Sequence, residues 1–279
     1  MGDSFDVVII GGGPGGYAAA LYGASAGLDI ALIEKDKVGG TCLHRGCIPA
    51  KELLETASVR RTIAHAGDFG LGVDEPTLDY GATQDRKQQV VDQLHKGLSG
   101  LLDGRKVTVL SGTGTYEGGG TVRVVGEDER QLTGDAVILA TGSVPRTLPG
   151  FDVDGELVVT SDEFLARGEL PRRAVVVGGG AIGCEFASMM ADLGTEVTVL
   201  EALPKILPGC DADVTKQVLR SFKKRGIAVK TGVEVTGHEP AGASTTVAFG
   251  DGETVEVDLV VMSVGRRPSS DTLGLEGSD

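Results

Sequence analysis

No stretch of this 279-residue sequence stays apolar for the roughly 18–20 residues that a membrane-spanning helix needs. The apolar start, Phe5–Ile10, breaks into glycines at once. It has neither the basic flank nor the small-residue cleavage site of a secretory signal. The expectation is a soluble, cytoplasmic chain. Bases are scarce: 26 Lys and Arg stand against 40 Asp and Glu, a formal charge of -14. Phosphate-rich partners need the opposite balance, so neither nucleic acid nor an anionic membrane is expected. Cysteine is rare as well. Cys42, Cys47, Cys184 and Cys210 are too few for a disulfide framework in a chain this long. Only Cys42 and Cys47 lie close together, and with no second pair at ligand spacing no metal site is expected.

What the sequence has in quantity is glycine, 44 residues without a collagen period. They imply many tight turns and places where backbone approaches something closely. The length suits two domains of ordinary size, and 41% hydrophobic residues can fill their cores.

One pattern occurs twice. The apolar run Asp6-Val7-Val8-Ile9-Ile10 opens into Gly11-Gly12-Gly13-Pro14-Gly15-Gly16, a helical stretch follows to about Gly27, and a strand Ile30–Ile33 ends at Glu34. The run Ala174–Val177 opens into Gly178-Gly179-Gly180-Ala181-Ile182-Gly183, with a helix to about Leu193 and a strand Val197–Leu200 ending at Glu201. Gly11 to Gly178 and Glu34 to Glu201 are both 167 positions, so the copies align without a gap. Strand, G-x-G-x-x-G, helix, strand and acid form the dinucleotide-binding fingerprint in full context. Gly11 and Gly178 allow the tight turn, Gly13 and Gly180 let backbone approach a pyrophosphate, and Gly16 and Gly183 let helix pack on strand. The helix N-terminus offers unpaired N–H groups to phosphate, and Pro14 sits where a first-turn proline is tolerated. Glu34 and Glu201 are placed to accept hydrogen bonds from ribose hydroxyls. The fold class expected is α/β, with two Rossmann-like dinucleotide-binding domains in tandem.

Between the copies, helices are expected from about Cys47 to Ala66 and from about Tyr80 to Leu102, the second from Val90, Val91, Leu94, Leu98, Leu101 and Leu102 near 3.6 spacing. Short strands follow, with turns at Gly118-Gly119-Gly120 and Gly126-Glu127-Asp128, then a buried-type strand Ala136–Leu139 running into Ala140-Thr141-Gly142-Ser143. Val144-Pro145 and Leu148-Pro149-Gly150 look like an interdomain linker. After the second copy come a helix over about 211–225, short alternating strands, and a strand Leu259–Met262 entering Gly265-Arg266-Arg267-Pro268. The domains are expected at 1–145 and 146–270, with 271–279 beginning a return segment.

The cysteine pair lies in Gly39-Gly40-Thr41-Cys42-Leu43-His44-Arg45-Gly46-Cys47-Ile48-Pro49-Ala50-Lys51. Residues five apart on a regular helix have Cα atoms roughly 8–9 Å apart, whereas a disulfide needs less than about 7 Å. Bonding would therefore require an irregular helix start, for which Gly46 and Pro49 supply the means. On these residues alone the pair reads either as small buried apolar groups or as a redox pair, the second being commoner for close cysteines in a reducing compartment.

This tridecapeptide resembles the redox-active segment of the pyridine nucleotide–disulfide oxidoreductases, most of all their dihydrolipoyl dehydrogenase branch. The order of a first fingerprint, an Ala-Thr-Gly segment and a second fingerprint is similar to that family's from Phe5 onward. The resemblance implies FAD at Gly11, Gly13, Gly16 and Glu34, and a Cys42–Cys47 disulfide. In it Cys47 is the thiol beside the flavin and Cys42 exchanges with the dithiol substrate. Lys51 is implied beside the flavin with Glu185 as its carboxylate partner. Further cofactor contacts are implied at Pro14, Lys35, Gly40, Thr41, Thr141, Gly142, Ser143, Ile182, Gly265 and Arg266. Glu201, an acid where a 2′-phosphate would be repelled, points to NAD rather than NADP. The implied reaction oxidises protein-bound dihydrolipoamide and reduces NAD, with a lipoyl-bearing protein of a 2-oxoacid dehydrogenase or glycine cleavage complex as partner.

The family continues past this point with a Gly-Asp segment and a dimerisation domain that supplies a histidine–glutamate pair. That pattern is not met in these 279 residues, so the family's homodimer and full activity are not expected of them alone. His44, His65, His95 and His238 read as ordinary loop or helix residues. A non-catalytic nucleotide-binding fragment and a relative such as mercuric reductase stand as alternatives.

Overall fold

The structure, a computed structural model, describes residues 3–74, 76–127 and 129–275. Asp128 of the expected turn and the last four residues of the 271–279 segment lie outside them. The chain forms two compact units, one taking residues up to Ile48, Gln89–Val144 and from Arg267 on, the other Pro49–Gln88 and Pro145–Arg266.

The first unit is built on a six-stranded sheet in the order Thr108–Ser111, Ile30–Glu34, Asp3–Ile10, Glu129–Leu139, Thr121–Val125, Thr113–Gly118. Its first four strands run parallel and its last two form an antiparallel meander. The residues account for the difference. Ile30-Ala31-Leu32-Ile33 is buried throughout, as a strand covered on both faces must be. In the meander Val122 and Val124 are buried while Arg123 and Val125 are exposed, the alternation of a half-covered antiparallel strand. Side chains of Asp3–Ile10 go to opposite faces. Val8 and Ile10 join Ala31, Ile33, Leu132 and Leu273 on one side, and Ile9 joins Ala20, Leu32 and Leu102 on the other. The helix Pro14–Ser25 makes the crossover between the parallel strands Asp3–Ile10 and Ile30–Glu34.

The second unit repeats the plan with a five-stranded parallel sheet, ordered Ala228–Thr231, Glu196–Glu201, Arg173–Val177, Leu259–Met262, Val158–Val159. A three-stranded antiparallel meander, Val235–Ala241, Ser244–Phe249 and Glu253–Val257, packs Val247, Phe249 and Val257 with Val175, Val177 and Leu200. On the other face Val176 and Val199 meet Leu53, Ala57, Phe186 and Met190. A capping box starts the helix Ser161–Ala166: Thr160 N–H donates to Glu163 Oε2 at 2.8 Å, and Asp162 N–H donates to Thr160 Oγ1 at 3.3 Å. Its Leu165 carbonyl accepts from the buried amine of Lys87 at 3.0 Å. Burial pushes that amine below the usual lysine pKa.

The long helices run Cys47–Ala64 and Tyr80–Gly104, and each passes from one unit to the other within its length. Val144 and Pro145, expected in a linker, lie in a short strand, Ser143–Pro145, and the division between the two units falls between them. Among the described residues no helix is long and apolar enough to cross a membrane.

Candidate functional site

The two glycine loops are near copies in space as in sequence. Gly11 has φ +106° and Gly178 φ +107°, a region that side chains avoid. A Cβ on either would lie 2.3 Å from Ala140 O or 2.4 Å from Ser263 O. A Cβ on Gly16 would lie 1.7 Å from Gly11 O, and one on Gly183 2.0 Å from Gly178 O. The third glycine is thus required by the turn itself as well as by the strand beneath it. Gly13 and Gly180 open their helices in the same extended conformation, without a side-chain cap and with no acid in the first turn. Their Cβ positions have 3.9 Å of clearance or more. Uncapped N–H groups at the positive end of a 12-residue helix, approachable by a ligand, fit a pyrophosphate.

The acids do something that sequence reasoning missed. Glu34 accepts from Gly12 N–H at 2.7 Å and from Asp36 N–H at 2.9 Å. Glu201 accepts from Gly179 N–H at 2.6 Å and from Leu203 N–H at 2.7 Å. Each carboxylate clamps the middle glycine of its own loop to the turn after the second strand. A carboxylate offers about four lone pairs, so each keeps acceptor capacity for a ribose. The signal was present in the sequence as the equal spacing of acid and middle glycine in both copies.

Beside the second loop lies a cavity of about 710 Å³, within the range of ligand sites. Gly178, Gly180, Ile182, Glu201, Gly265 and Arg266 all line it. In the first unit a cavity of about 80 Å³ brings together Gly11, Glu34, Lys35 and Thr141. It also takes Gly112, Thr113 and Gly114, which sequence reasoning passed over although Gly-Thr-Gly directly after a strand is a close-approach signal. Gly142, at φ +70°, turns the chain out of the central strand, and its carbonyl accepts from Ser269 N–H at 3.0 Å. Ser143 opens the short strand that follows.

The cysteine segment is built against the first loop. Gly39 N–H donates to Gly12 O at 2.8 Å. Gly40, at φ +56°, leaves room for Gly13, whose Cα would be 2.7 Å from a Cβ there. Thr41 and the half-buried Cys42 lie on the short helix Gly40–His44. That helix stops at Arg45 (φ -138°), and Cys47 begins the next one, exposed. The two cysteines therefore do not share one regular helix, and the spacing objection to their bonding falls away. Gly46 is the residue that permits the break, because a Cβ there would press on Thr41 O at 3.0 Å.

Lys51 and Glu185 form an ion pair: Nζ lies 2.7 and 2.8 Å from the two carboxylate oxygens. Cys184 is a buried thiol that donates to Gly179 O at 3.4 Å. Burial, aided by the charge of Glu201, pushes its pKa up to about 11, so it stays protonated and inert. His44 and His95 both reach Val38 O, at 2.9 and 3.1 Å, with their rings edge to face at 5.1 Å. His65 bonds Arg61 O, and His238 bonds Thr245 and stacks on Phe151. Among the described residues no group of His, Cys, Asp and Glu is placed to hold a metal.

Two glycine-loop units of one design, the first carrying a cysteine pair on its loop, define a doubled dinucleotide-fold protein equipped with paired thiols. The chain belongs to the pyridine nucleotide-disulphide oxidoreductase family, which matches it over residues 5–278. It is 43% identical to a dihydrolipoyl dehydrogenase of Bacillus subtilis over 294 aligned positions, covering 100% of this chain and 62% of that one. A dihydrolipoyl dehydrogenase of Chlamydia muridarum is 41% identical, with coverages of 99% and 60%. The crystal structure of LpdA from Mycobacterium tuberculosis superposes with a TM-score of 0.91 at 28% identity, over 98% of this chain and 61% of that one. The HOCl-induced flavoprotein disulfide reductase RclA of Escherichia coli gives 0.83 at 28%, over 97% and 59%. The chain thus spans about 60% of the length of these relatives. The family is named for its oxidoreductases, and the curated relatives above are named dihydrolipoyl dehydrogenases.

Proposed function

We propose that this chain carries the flavin site, the redox-active disulfide and the NAD site of a dihydrolipoyl dehydrogenase. The observation that carries the reading is the seating of the Cys42–Cys47 segment on the first glycine loop, through Gly39 N–H to Gly12 O and the Gly40–Gly13 approach. A dithiol substrate held there is oxidised by exchange. A substrate thiolate attacks Cys42 Sγ, the Cys42–Cys47 bond breaks, and Cys47 leaves as thiolate. The second substrate thiol, deprotonated, attacks the substrate sulfur of the mixed disulfide and releases Cys42. Bound FAD and NAD⁺ supply the two-electron acceptors that return the pair to its oxidised form.

Glycine loop one, Glu34, Lys35, Gly40, Thr41 and the turn Thr141–Ser143 would hold the flavin nucleotide. Glycine loop two, Ile182, Glu201, Gly265 and Arg266 would hold NAD. Glu185 holds the Lys51 ammonium in a fixed place, where the family resemblance puts a charge beside the flavin ring. The buried carboxylate of Glu201 opposes a 2′-phosphate, since like charges at about 4 Å repel by roughly 4 kcal/mol at an effective dielectric near 20. The substrate is dihydrolipoamide on a lipoyl-bearing protein of a 2-oxoacid dehydrogenase or glycine cleavage complex, and the assembly that the family resemblance implies for the whole protein is a homodimer.

The test treats the oxidised chain with dihydrolipoamide and maps the newly alkylatable thiols. Exposure of Cys42 and Cys47 together, lost in Cys42→Ser while FAD binding persists, supports the reading. Failure of the two cysteines to form a disulfide in the oxidised chain would sink it.

A further inference from the structure

The helix Ala212–Lys224 bears a groove of about 360 Å³. Ala212, Thr215 and Leu219 line it together with Lys205, Lys216, Arg220 and Lys223. All four cations are exposed, and no carboxylate lines the groove. Among the described residues none of the four makes an ion pair. In a chain with 40 acids and 26 bases that concentration is unusual. The nearby acids, Asp211 and Asp213, sit at the helix start, where Asp211 is the cap and Asp213 complements the dipole. Lys223 and Lys224 answer the negative C-terminal end in the same way. The dipole does not account for Lys216 and Arg220 in the middle of the helix, nor for Lys205 on the loop before it. Lys216, Arg220 and Lys223 stand four and three residues apart, so like charges face one another at a cost to the helix. Lys216 to Lys223 spans roughly 10 Å of helix axis, about one Debye length at 0.1 M salt, so the cations act together on whatever enters the groove.

We propose that this groove docks an acidic segment of a partner protein, one presenting several carboxylates around an apolar side chain. The apolar side chain rests on Leu219 and Ala212, and the carboxylates neutralise the four cations. Recognition is then charge-complementary, which favours fast association and strong salt dependence.

The experiment measures fluorescence anisotropy of a labelled amphipathic Glu/Leu peptide with the full 279-residue chain. A twin with Gln for every Glu and a single-stranded oligothymidylate of equal charge serve as comparators. Saturable binding of the Glu peptide at about 0.05 M salt is expected, weakened about tenfold or more at about 0.2 M. The double variant Lys216→Glu, Arg220→Glu should abolish it. The milder Lys216→Gln, Arg220→Gln should weaken it several-fold with circular dichroism unchanged. Equal binding of the Gln twin overturns the proposal, as does unaltered binding in both double variants. Tighter binding of the oligothymidylate would assign the groove to nucleic acid. Self-association of the chain that the double variants remove would assign it to a second copy, and either result overturns the docking of an acidic partner.

Discussion

Glu201→Ala should lower the melting temperature of the second unit by roughly 5–15 °C. The parent carboxylate is 8% exposed and accepts charge-assisted hydrogen bonds from Gly179 N–H at 2.6 Å and Leu203 N–H at 2.7 Å. Hydrogen bonds to charged groups contribute about 1.5–3 kcal/mol each. Because Glu201 lines a cavity of about 710 Å³, water can reach part of the vacated position, so the loss falls below the simple sum, to roughly 2–4 kcal/mol. At about 2–4 °C per kcal/mol for a protein of this size, that gives the shift stated. Glu201→Gln should fall between parent and alanine, since one amide oxygen replaces one acceptor while the amide NH₂ faces the other backbone N–H. The twin change Glu34→Ala should cost less, because the Glu34 carboxylate is only partly buried and its bond to Asp36 N–H is exposed. Thermal unfolding followed by circular dichroism decides the matter. An alanine variant melting within about 1 °C of the parent would refute the clamp, since even one lost bond of this kind is worth more.

Gly183→Ala should destabilise by about 3 kcal/mol or more, at the upper end of overpacking, because its Cβ would sit 2.0 Å from Gly178 O. Gly180→Ala has nothing within 4 Å of its Cβ and should fold with near-parent stability yet bind NAD several-fold more weakly; melting and NAD titration together separate the two. Hydrogen bonds from Arg173 hold the Asp258 carboxyl below the usual carboxylate range, against the opposing effect of burial. Its stabilisation is therefore fully present above the ordinary Asp pKa near 3.9 and is lost as pH falls through the lowered folded value. The melting-temperature gap between parent and Asp258→Asn should accordingly be constant near neutrality and close below about pH 4. Glu201→Arg should narrow or reverse a preference for NAD over NADP, read as the ratio of affinities for the two nucleotides.

Much of this was legible in the residues. The 167-residue offset between glycine loops foretold two units of one design, and the same offset relates their hydrogen bonds, as Gly12 N–H to Glu34 and Gly179 N–H to Glu201 show. The strand Leu259–Met262 was readable from its apolar run, and the second half of the helix Tyr80–Gly104 from its period. The helix break between Cys42 and Cys47 was legible only as a condition on bonding, since a glycine permits a kink but does not require one. The break itself is seen only in the backbone, where Arg45 leaves the helical region at φ -138°. The clamp by Glu34 and Glu201 was missed because an acid at a strand end suggests a ligand first, whereas its nearest donors are its own backbone. Lys87 gave no signal at all. A lysine in a polar helical stretch reads as surface, and only packing against the helix Ser161–Ala166 buries it.

Cys42 and Cys47 are proposed to form a redox pair served by the nucleotides of the two glycine-loop units. The most direct measurement reduces the oxidised, FAD-supplied chain with NADH under anaerobic conditions and counts alkylatable thiols by mass spectrometry. The prediction is that NADH unmasks Cys42 and Cys47 together, while NADPH does so far more slowly and the buried, high-pKa Cys184 stays unmodified. A chain that binds both nucleotides yet leaves Cys42 and Cys47 equally alkylatable before and after NADH would contradict it.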